Sequence, residues 1–295
     1  MNKIIYHGDC TDGFGAAYAA WKALGDTAEY IPKMHGQAPP QVSNQDDLFI
    51  LDFSFPREVM LELQAQARSV TLLDHHRSAA DALGDLAGCH FDMGQSGALL
   101  AWRHFHPNTP VPNALLRIDD WDRWQFKLPH TLEQHAGFDL YKMDFKVWDE
   151  LIHKRMPEVL AEGRIVLRHN EVIVNRVCNN SCEIRLSDRA GVVHRGVATN
   201  SAELKSEVGH ELLRRHPEAD FAAVYNIDWD SKERQHVVRW SLRSRHDQYD
   251  VLPIAQAAGG GGHPDAAAFR EPMHIFFSRF SDRFESVNAP SVLSS

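Results

Sequence analysis

The chain has 295 residues, 43% of them hydrophobic, and a formal net charge of −9 at pH 7. This length and apolar content predict a globular protein with two hydrophobic cores, and the negative charge argues against a general DNA-coating surface. It does not exclude an anionic ligand, which metal ions or a local cluster of Arg and His can hold. No window approaches the roughly 18 apolar residues that a membrane span needs, so we expect a cytoplasmic protein that does not enter a membrane.

The four cysteines are predicted to be reduced thiols. Only Cys178 and Cys182 are close in sequence. A Cys-x₃-Cys pair without a second pair or a nearby His at finger spacing is weak evidence for a zinc site. No disulfide framework is expected in a cytoplasmic chain of this kind.

The first predicted strand, Lys3–His7, and the first predicted helix, Gly13–Leu24, are joined by the turn HGDCTDG. The turn carries three potential metal ligands: His7, Asp9 and Asp12. One alternative is that the carboxylates only cap the helix. Capping requires one Asp, however, and imidazole together with carboxylates suits Mn²⁺, Fe²⁺ or Mg²⁺.

The next elements alternate between strand and helix. Thr27–Ile31 is a plausible second strand, and after a Pro/Gly-rich loop Asp47–Phe53 is the third, with Asp52 at its end. A helix from Pro56 to Arg68 follows, with Pro56 suited to its first turn. This alternation is typical of parallel βαβ units.

The run VTLLDHH, Val70–His76, predicts a buried strand that ends in Asp74, His75 and His76. The alternative is a capping Asp followed by two solvated His. Because parallel strands bring their carboxyl ends to one rim, we expect the polar strand ends to meet there. The members of that rim are Asp12, Asp52 and His75.

Gly88–Asp92 predicts another strand and Ser96–Phe105 an amphipathic helix. The segment LLRIDDWDRWQF then interleaves acidic residues with two Trp. One of its carboxylates would complete a shared metal centre, unless they form a solvated helix end. The sequence does not decide among Asp119, Asp120 and Asp122.

From Thr131 to about Asn180 the pattern is helical, with a long connector over Pro157–Arg176. A second, smaller α/β domain is expected after it, and the last ten or so residues are expected to be disordered. Its predicted strands and helix are Cys182–Ser187, Val192–Ala198, Ala202–Arg215 (the helix), Phe221–Asp228 and Gln235–Arg243.

Two segments of the second domain suit phosphate binding. The segment Val237–Arg245 alternates on a strand and exposes Arg239, Ser241, Arg243 and Arg245 near its end. The guanidinium of Arg243 can bind phosphate oxygens bidentately. The segment AAGGGGHPDAAAF, 257–269, has four Gly before His263 and a predicted small-residue helix after Pro264. Consecutive Gly allow backbone N–H groups to approach an anion, although a flexible turn is the alternative.

Six motifs together resemble the DHH phosphoesterase family with a C-terminal DHHA1 domain. They occur in the family's order over residues about 7–269 and are HGDCTDG, LDFSF, LLDHHRSA, IDDWDRW, SLRS and GGGGHPDAAAF. The resemblance implies an α/β fold in which an N-terminal parallel-sheet DHH domain is joined by a helical linker to a smaller α/β DHHA1 domain. The implied boundaries are 1–155 for the metal-binding catalytic domain, 156–180 for the linker, 181–284 for the substrate-binding domain and 285–295 for a disordered tail.

The resemblance also implies roles for single residues. Asp52 is the implied bridging carboxylate, His76 is implied to approach the substrate phosphate, and Asp74 to orient the imidazoles, which makes these three the catalytic set. The implied metal ligands are His7, Asp9, Asp12, Asp52, His75, Asp120 and Asp122, with Asp120 and Asp122 as alternatives. The implied substrate contacts are Ser241, Arg243, Ser244, Gly261, Gly262 and His263.

The first motif departs from the family pattern. The family usually has acidic residues two apart, whereas here the position two before Asp12 is Cys10 and the nearest carboxylate is Asp9. Either Asp9 replaces the missing ligand through a changed turn, or one metal position is weakened.

The function implied is a phosphoesterase in which two divalent cations, Mn²⁺ first and Mg²⁺ or Fe²⁺ as alternatives, activate water. The expected substrates are short oligonucleotides, 3′-phosphoadenosine 5′-phosphate and cyclic or linear dinucleotides. Stable binding of duplex DNA is not expected, and a homodimer is left open. The alternatives are an exopolyphosphatase or pyrophosphatase of the same family, and a nucleotide-binding sensor without turnover.

Overall fold

The computed structural model describes residues 1–8, 10–231, 233–245 and 248–278. Asp9 and the predicted tail at 285–295 lie outside these ranges. The chain divides into two compact units, Met1–His169 and a second that begins at Asn170. Each has its own β-sheet, and the predicted α/β class is confirmed.

The first unit is built on a five-stranded parallel sheet with the strand order β2-β1-β3-β4-β5. Its strands are β1 (Asn2–His7), β2 (Glu29–Lys33), β3 (Asp47–Leu51), β4 (Ser69–Asp74) and β5 (Cys89–Phe91). Its helices are α1 (Thr11–Leu24), α2 (Arg57–Gln66), α3 (Arg77–Leu83), α4 (Gly97–Phe105), α5 (Asn113–Asp122), α6 (Thr131–Phe138) and α7 (Phe145–His153), and α8 (Met156–Cys178) continues into the second unit.

Both faces of the parallel sheet are covered, as the apolar strand sequences require. On one face Ile4 and Tyr6 pack with α1, α4 and α5. On the other face Ile5, Leu48 and Ile50 pack with α2 and α3. The two cores fix the sheet between helical layers, so that only its ends and edges remain for a polar site.

The second unit contains a six-stranded sheet with the order β10-β11-β9-β8-β7-β6, antiparallel except for the β7–β8 pair. Its strands are β6 (Cys182–Ser187), β7 (Val193–Asn200), β8 (Phe221–Asp230), β9 (Gln235–Arg243), β10 (Gly261–Gly262) and β11 (Ala266–Pro272). Its helices are α9 (Lys205–Arg215), α10 (Leu252–Ala257) and α11 (Met273–Ser278). Helix α9 forms the crossover between the parallel strands β7 and β8 and packs with the end of α8 on one face of the sheet.

Some predicted elements differ from the structure. The second strand lies two residues later than Thr27–Ile31, because Thr27 belongs to a 3₁₀ turn. The helical region from Thr131 is three separate helices. The predicted small-residue helix after Pro264 is wrong: Ala266–Pro272 is a strand, since β9 and β10 pair with its two edges and override the helix preference of its three Ala.

All four cysteines are free thiols, as predicted. Within the described residues, no helix is both long and apolar enough to cross a bilayer.

Candidate metal centre

The predicted polar strand ends lie at one edge of the parallel sheet. Strands β1, β3 and β4 pair in register, so His7, Asp52 and Asp74 come side by side at their carboxyl ends. The chain leaves β1 toward β2 on one side, and β3 lies on its other side. Ligands of open α/β sheets bind at such a reversal of strand order.

Asp52 is held in a rare backbone conformation. Its φ of 51° is in the left-handed region, and its N–H donates to the Leu73 carbonyl at 2.9 Å, which extends the sheet pairing by one residue. Gly97, the first residue of α4, packs directly against it: a Cβ at Gly97 would lie 2.4 Å from the Asp52 Cβ. The side chain is 2% exposed and is therefore confined between sheet and helix.

The two carboxylate oxygens of Asp52 face two different groups of side chains, one with His7 and Cys10 and the other with His75. Oδ2 lies 3.5 Å from the Cys10 Sγ and 3.7 Å from the His7 Nδ1. Oδ1 lies 3.2 Å from the His75 Nε2 and has no hydrogen bond with good geometry to any residue that the structure describes. A buried carboxylate with one oxygen toward each group has the arrangement that a bridging metal ligand needs.

The second group gathers around His75. Its Nε2 lies 3.7 Å from the Asp12 Oδ2 and 3.6 Å from the Asp122 Oδ2. Asp12 accepts hydrogen bonds from the N–H groups of Gly97 and Ala98, at 2.7 and 2.9 Å. The predicted alternative of capping is thus partly right, but the helix that Asp12 caps is α4, whereas the Cys10 Sγ accepts from Gly13 at the start of α1.

The charges of this cluster are strongly coupled. Burial would lower the pKa of His75, but the neighbouring carboxylates of Asp52, Asp122 and Asp12 outweigh it and raise the pKa to about 10. Burial raises the pKa of Asp12 well above its usual range, and the charges of Asp52 and Asp122 add to the rise. Burial also opposes ionisation of Asp52, but His7 and His75 hold its pKa below the usual range. Positive charge stabilises the ionised carboxylates of this cluster. His75, Asp12 and Asp122 present donor atoms suited to a cation.

The segment after β4 is locked by Asp74, which is 1% exposed. Its Oδ1 accepts from the backbone N–H groups of His75 and His76 at 2.7 and 3.2 Å, and lies 2.7 Å from the His76 Nδ1. Burial would lower the pKa of His76, but Asp74 raises it. Asp74 therefore fixes the direction of the His76 ring, which fits the orienting role implied by the resemblance.

The structure separates the two acidic alternatives on α5. Asp122 reaches His75, whereas Asp120 lies apart, and its oxygens accept from the Lys127 and Leu128 N–H groups at 2.9 and 3.0 Å and from the Thr131 hydroxyl at 2.5 Å. Asp120 thus closes the loop after α5. The geometry favours Asp122 as the ligand of this segment.

Two residues near the cluster were not expected there. Cys10 lies between His7 and Asp52, and the His35 ring lies 5.4 Å from the His7 ring and 5.1 Å from Phe53. Burial lowers the pKa of His35, and the neighbouring His7 and His76 lower it further. His35 follows β2 by two residues, so correct placement of that strand would have put it at the same sheet edge.

Two curated proteins are similar to the chain in sequence. It is 28% identical over 287 residues to the uncharacterized protein R106 of Acanthamoeba polyphaga mimivirus, over 90% of this chain and 66% of R106. It is 23% identical over 309 residues to the oligoribonuclease NrnB of Bacillus subtilis strain 168, over 90% of this chain and 72% of NrnB. The chain thus spans about two thirds of the length of R106. No protein-family model matches it.

Among solved structures, PggH, a pGpG-specific phosphodiesterase from Vibrio cholerae, superposes with a TM-score of 0.51 at 14% identity, over 97% of this chain and 96% of PggH. The two proteins share a fold. Together with the NrnB match, this similarity supports the resemblance of the chain to the DHH phosphoesterase family.

The second unit of the chain contains the residues predicted to contact substrate. Arg243 donates to the Ser206 hydroxyl at 2.7 Å and to the Leu242 carbonyl at 2.8 Å. Burial lowers its pKa, while Asp265 and Glu207 act in the opposite direction. Its guanidinium is therefore held in place beside α9, which contributes both Ser206 and Glu207.

Two neighbouring polar residues, Ser244 and Arg245, make hydrogen bonds that stabilise the fold. The Ser244 hydroxyl donates to the Tyr249 carbonyl at 2.5 Å, and Ser244 is 1% exposed. Arg245 donates to the carbonyls of Leu213, His216 and Ala219, around the end of α9. The expectation that Arg245 is exposed is wrong, because its guanidinium closes this helix end.

The glycine run forms an edge hairpin. Gly261 and Gly262 pair with Ala268 and Ala267, and Gly262 has a φ of 139°. The His263 N–H donates to the Ala266 carbonyl at 2.8 Å across the turn. Gly261 and Gly262 form the edge strand of the sheet, beside β11. Ala268 of β11 pairs on its other side with Ser241 of β9.

Proposed function

We propose that the protein is a metal-dependent phosphoesterase that hydrolyses short nucleotides. The observation that carries the proposal is Asp52, whose two oxygens face one donor group each at the end of a parallel sheet. The orphaned Oδ1 fits a cation, because a buried carboxylate oxygen without a donor is costly unless a ligand satisfies it.

Two divalent cations, with Mn²⁺ the first to test, would have separate protein ligands. His7 and the Asp52 Oδ2 belong to one position, and the Asp52 Oδ1 belongs to the other with Asp12, His75 and Asp122. When bound, such ions neutralise the phosphoryl oxygens and lower the pKa of water, so that it can attack at neutral pH. Asp52 keeps both positions at a fixed separation.

His76 has a different task from the ligands. Its Nδ1 is tied to Asp74, which raises its pKa although burial opposes this. A ring fixed in this way can present its other nitrogen to a phosphoryl oxygen, as preorganised donors do in other enzymes. Asp74 acts through His76 and is a positioning residue.

The proposed substrates are short because the chain carries a net charge of −9, which disfavours long polyanions. NrnB is named as an oligoribonuclease and PggH as a pGpG-specific phosphodiesterase, and both names describe small nucleotide substrates. In the second unit, which we propose is of the DHHA1 type, Arg243, Ser241 and His263 are the proposed phosphate contacts. Arg243 is the best supported, because Ser206 fixes its guanidinium.

The test is hydrolysis of pGpG and of a short oligoribonucleotide by the full chain, with Mn²⁺ and with chelator. We expect mononucleotide release that requires the metal, and a loss of about 10²–10³-fold in kcat in Asp52→Asn, comparable to removal of a preorganised catalytic group. Asp85→Asn changes an exposed carboxylate paired with Arg57 and should retain full activity. Full metal-dependent hydrolysis by Asp52→Asn, or none by the unmodified protein on either substrate, would overturn the proposal.

A further inference from the structure

Three donor atoms of different chemistry converge beside β1. The Cys10 Sγ lies 3.3 Å from the His7 Nδ1 and 3.5 Å from the Asp52 Oδ2, and those two atoms are 3.7 Å apart. Around one tetrahedral ion, with bonds of about 2.3 Å to sulfur and about 2.1 Å to nitrogen or oxygen, such atoms lie about 3.4–3.6 Å apart. The triangle already has nearly the dimensions that a shared ion requires.

The fold holds the sulfur where it is. Cys10 is the N-cap of α1, with φ −145° and ψ 157°, and its Sγ accepts a hydrogen bond from the Gly13 N–H at 3.2 Å. The same backbone N–H that caps the helix therefore orients the sulfur toward His7 and Asp52.

The second donor group contains no sulfur. His75, Asp12, Asp122 and the Asp52 Oδ1 offer only nitrogen and oxygen. Soft thiolate ligands favour ions such as Zn²⁺ over Mg²⁺ or Mn²⁺, whereas carboxylate-rich sites suit the harder ions. The two halves of the centre therefore differ in the metal that they prefer.

We infer that Cys10 is a thiolate ligand of the first metal position, and that this position selects a softer ion such as Zn²⁺, Co²⁺ or Fe²⁺. The inference rests on the proposed function, because it concerns the same centre. As the Sγ–metal bond forms, the thiol proton leaves to solvent and no oxidant or reductant is needed. In this way a Cys in the first motif supplies a ligand to the centre.

A purely structural Cys10, which caps α1 and donates to Asp52, is the competing account. Ser and Asp are good N-cap residues, so Cys10→Ser and Cys10→Asp retain the cap and are expected to fold. Cys89→Ser is the matched control, since Cys89 lies on β5 and belongs to neither donor group.

The test is titration of the metal-free full chain with Co²⁺, followed by absorbance. A thiolate bound to Co²⁺ gives a near-ultraviolet charge-transfer band. We expect this band in the unmodified protein and in Cys89→Ser, and its loss in both Cys10 variants, which should still show the visible bands of bound Co²⁺. In competition experiments, Cys10→Asp should lower the preference for Zn²⁺ over Mn²⁺ by at least about 10-fold, because even an indirect partner of a metal ligand changes affinity by that much.

The outcomes separate this inference from the proposed function. Cobalt binding without the charge-transfer band, or a band that persists in Cys10→Ser, would overturn the role of Cys10 and leave the metal centre standing. Failure of the unmodified protein to bind Co²⁺, Zn²⁺ or Mn²⁺ would overturn the centre itself.

Discussion

The contact between Gly97 and Asp52 makes Gly97→Ala a sensitive probe of the centre. An added Cβ would lie 2.4 Å from the Asp52 Cβ, 2.9 Å from its Cγ and 3.0 Å from its Oδ1. Ordinary contacts between carbon atoms are about 3.5–4.0 Å, so Asp52 or the start of α4 must move by about 1 Å. Because Asp12 accepts from the Gly97 N–H, a movement of α4 displaces Asp12 as well.

The expected effect is larger on catalysis than on folding. Overpacking of this kind costs about 1–3 kcal/mol of unfolding free energy. A displacement of about 1 Å at a catalytic constellation can cost about 10²-fold in rate. We therefore predict that Gly97→Ala remains folded, with its Mn²⁺-dependent kcat on pGpG reduced about 100-fold. Circular dichroism during thermal unfolding and steady-state kinetics measure the two effects.

Gly94→Ala is the control for this substitution. Gly94 precedes α4 by three residues, and a Cβ there meets only the Asp92 carboxylate, at 2.9 Å for its Oδ1, which can rotate away. Near-normal kcat is expected for it. If Gly97→Ala shows the same activity as Gly94→Ala, the packing of α4 does not position Asp52, and the reasoning is refuted.

Three other predictions follow from particular side chains. Asp120→Asn should lower the free energy of unfolding by about 1–3 kcal/mol, because hydrogen bonds in the loop after α5 are lost. The number of bound Mn²⁺ ions measured by calorimetry should not change, and a changed number would make Asp120 a ligand. His75 has a pKa of about 10 without metal and is protonated at pH 7, so metal binding should release at least one proton, and affinity should rise at least about tenfold per pH unit between pH 6 and 9; flat affinity would contradict this. His135, stacked on Trp121, has a pKa lowered to about 4 by burial, so the free energy of unfolding should fall by about 2–3 kcal/mol as the pH falls from 7.5 to 4.5. An equal pH dependence in His135→Gln would disprove the role of His135 in this loss.

Strand ends were the part of the centre that sequence could predict. A short apolar run followed by Asp-His-His defines both a buried strand and the residues at its carboxyl end, because the parallel sheet orders all such ends alike. In the second unit, β6 and β9 have the predicted bounds, since alternation of apolar and polar residues sets which face is buried.

Contacts that depend on helix phase and loop path could not be predicted in this way. Asp120 and Asp122 are two residues apart on α5, and therefore point in nearly opposite directions, but only packing decides which one faces β4. His35 lies two residues after β2, so its place beside His7 depended on the exact end of that strand, which the sequence pattern misplaced. Ser244 and Arg245 are polar residues on or beside a strand, and their use inside the fold depends on carbonyls far along the chain.

The most direct measurement is an anomalous diffraction map of crystals of the full chain grown with Mn²⁺. The account predicts two peaks, one on either side of the Asp52 carboxylate. One peak should contact the His7 Nδ1 and the Asp52 Oδ2, and the other the His75 Nε2 and the Asp52 Oδ1. A map in which Mn²⁺ is bound elsewhere, or in which Asp52 contacts no ion, would contradict it.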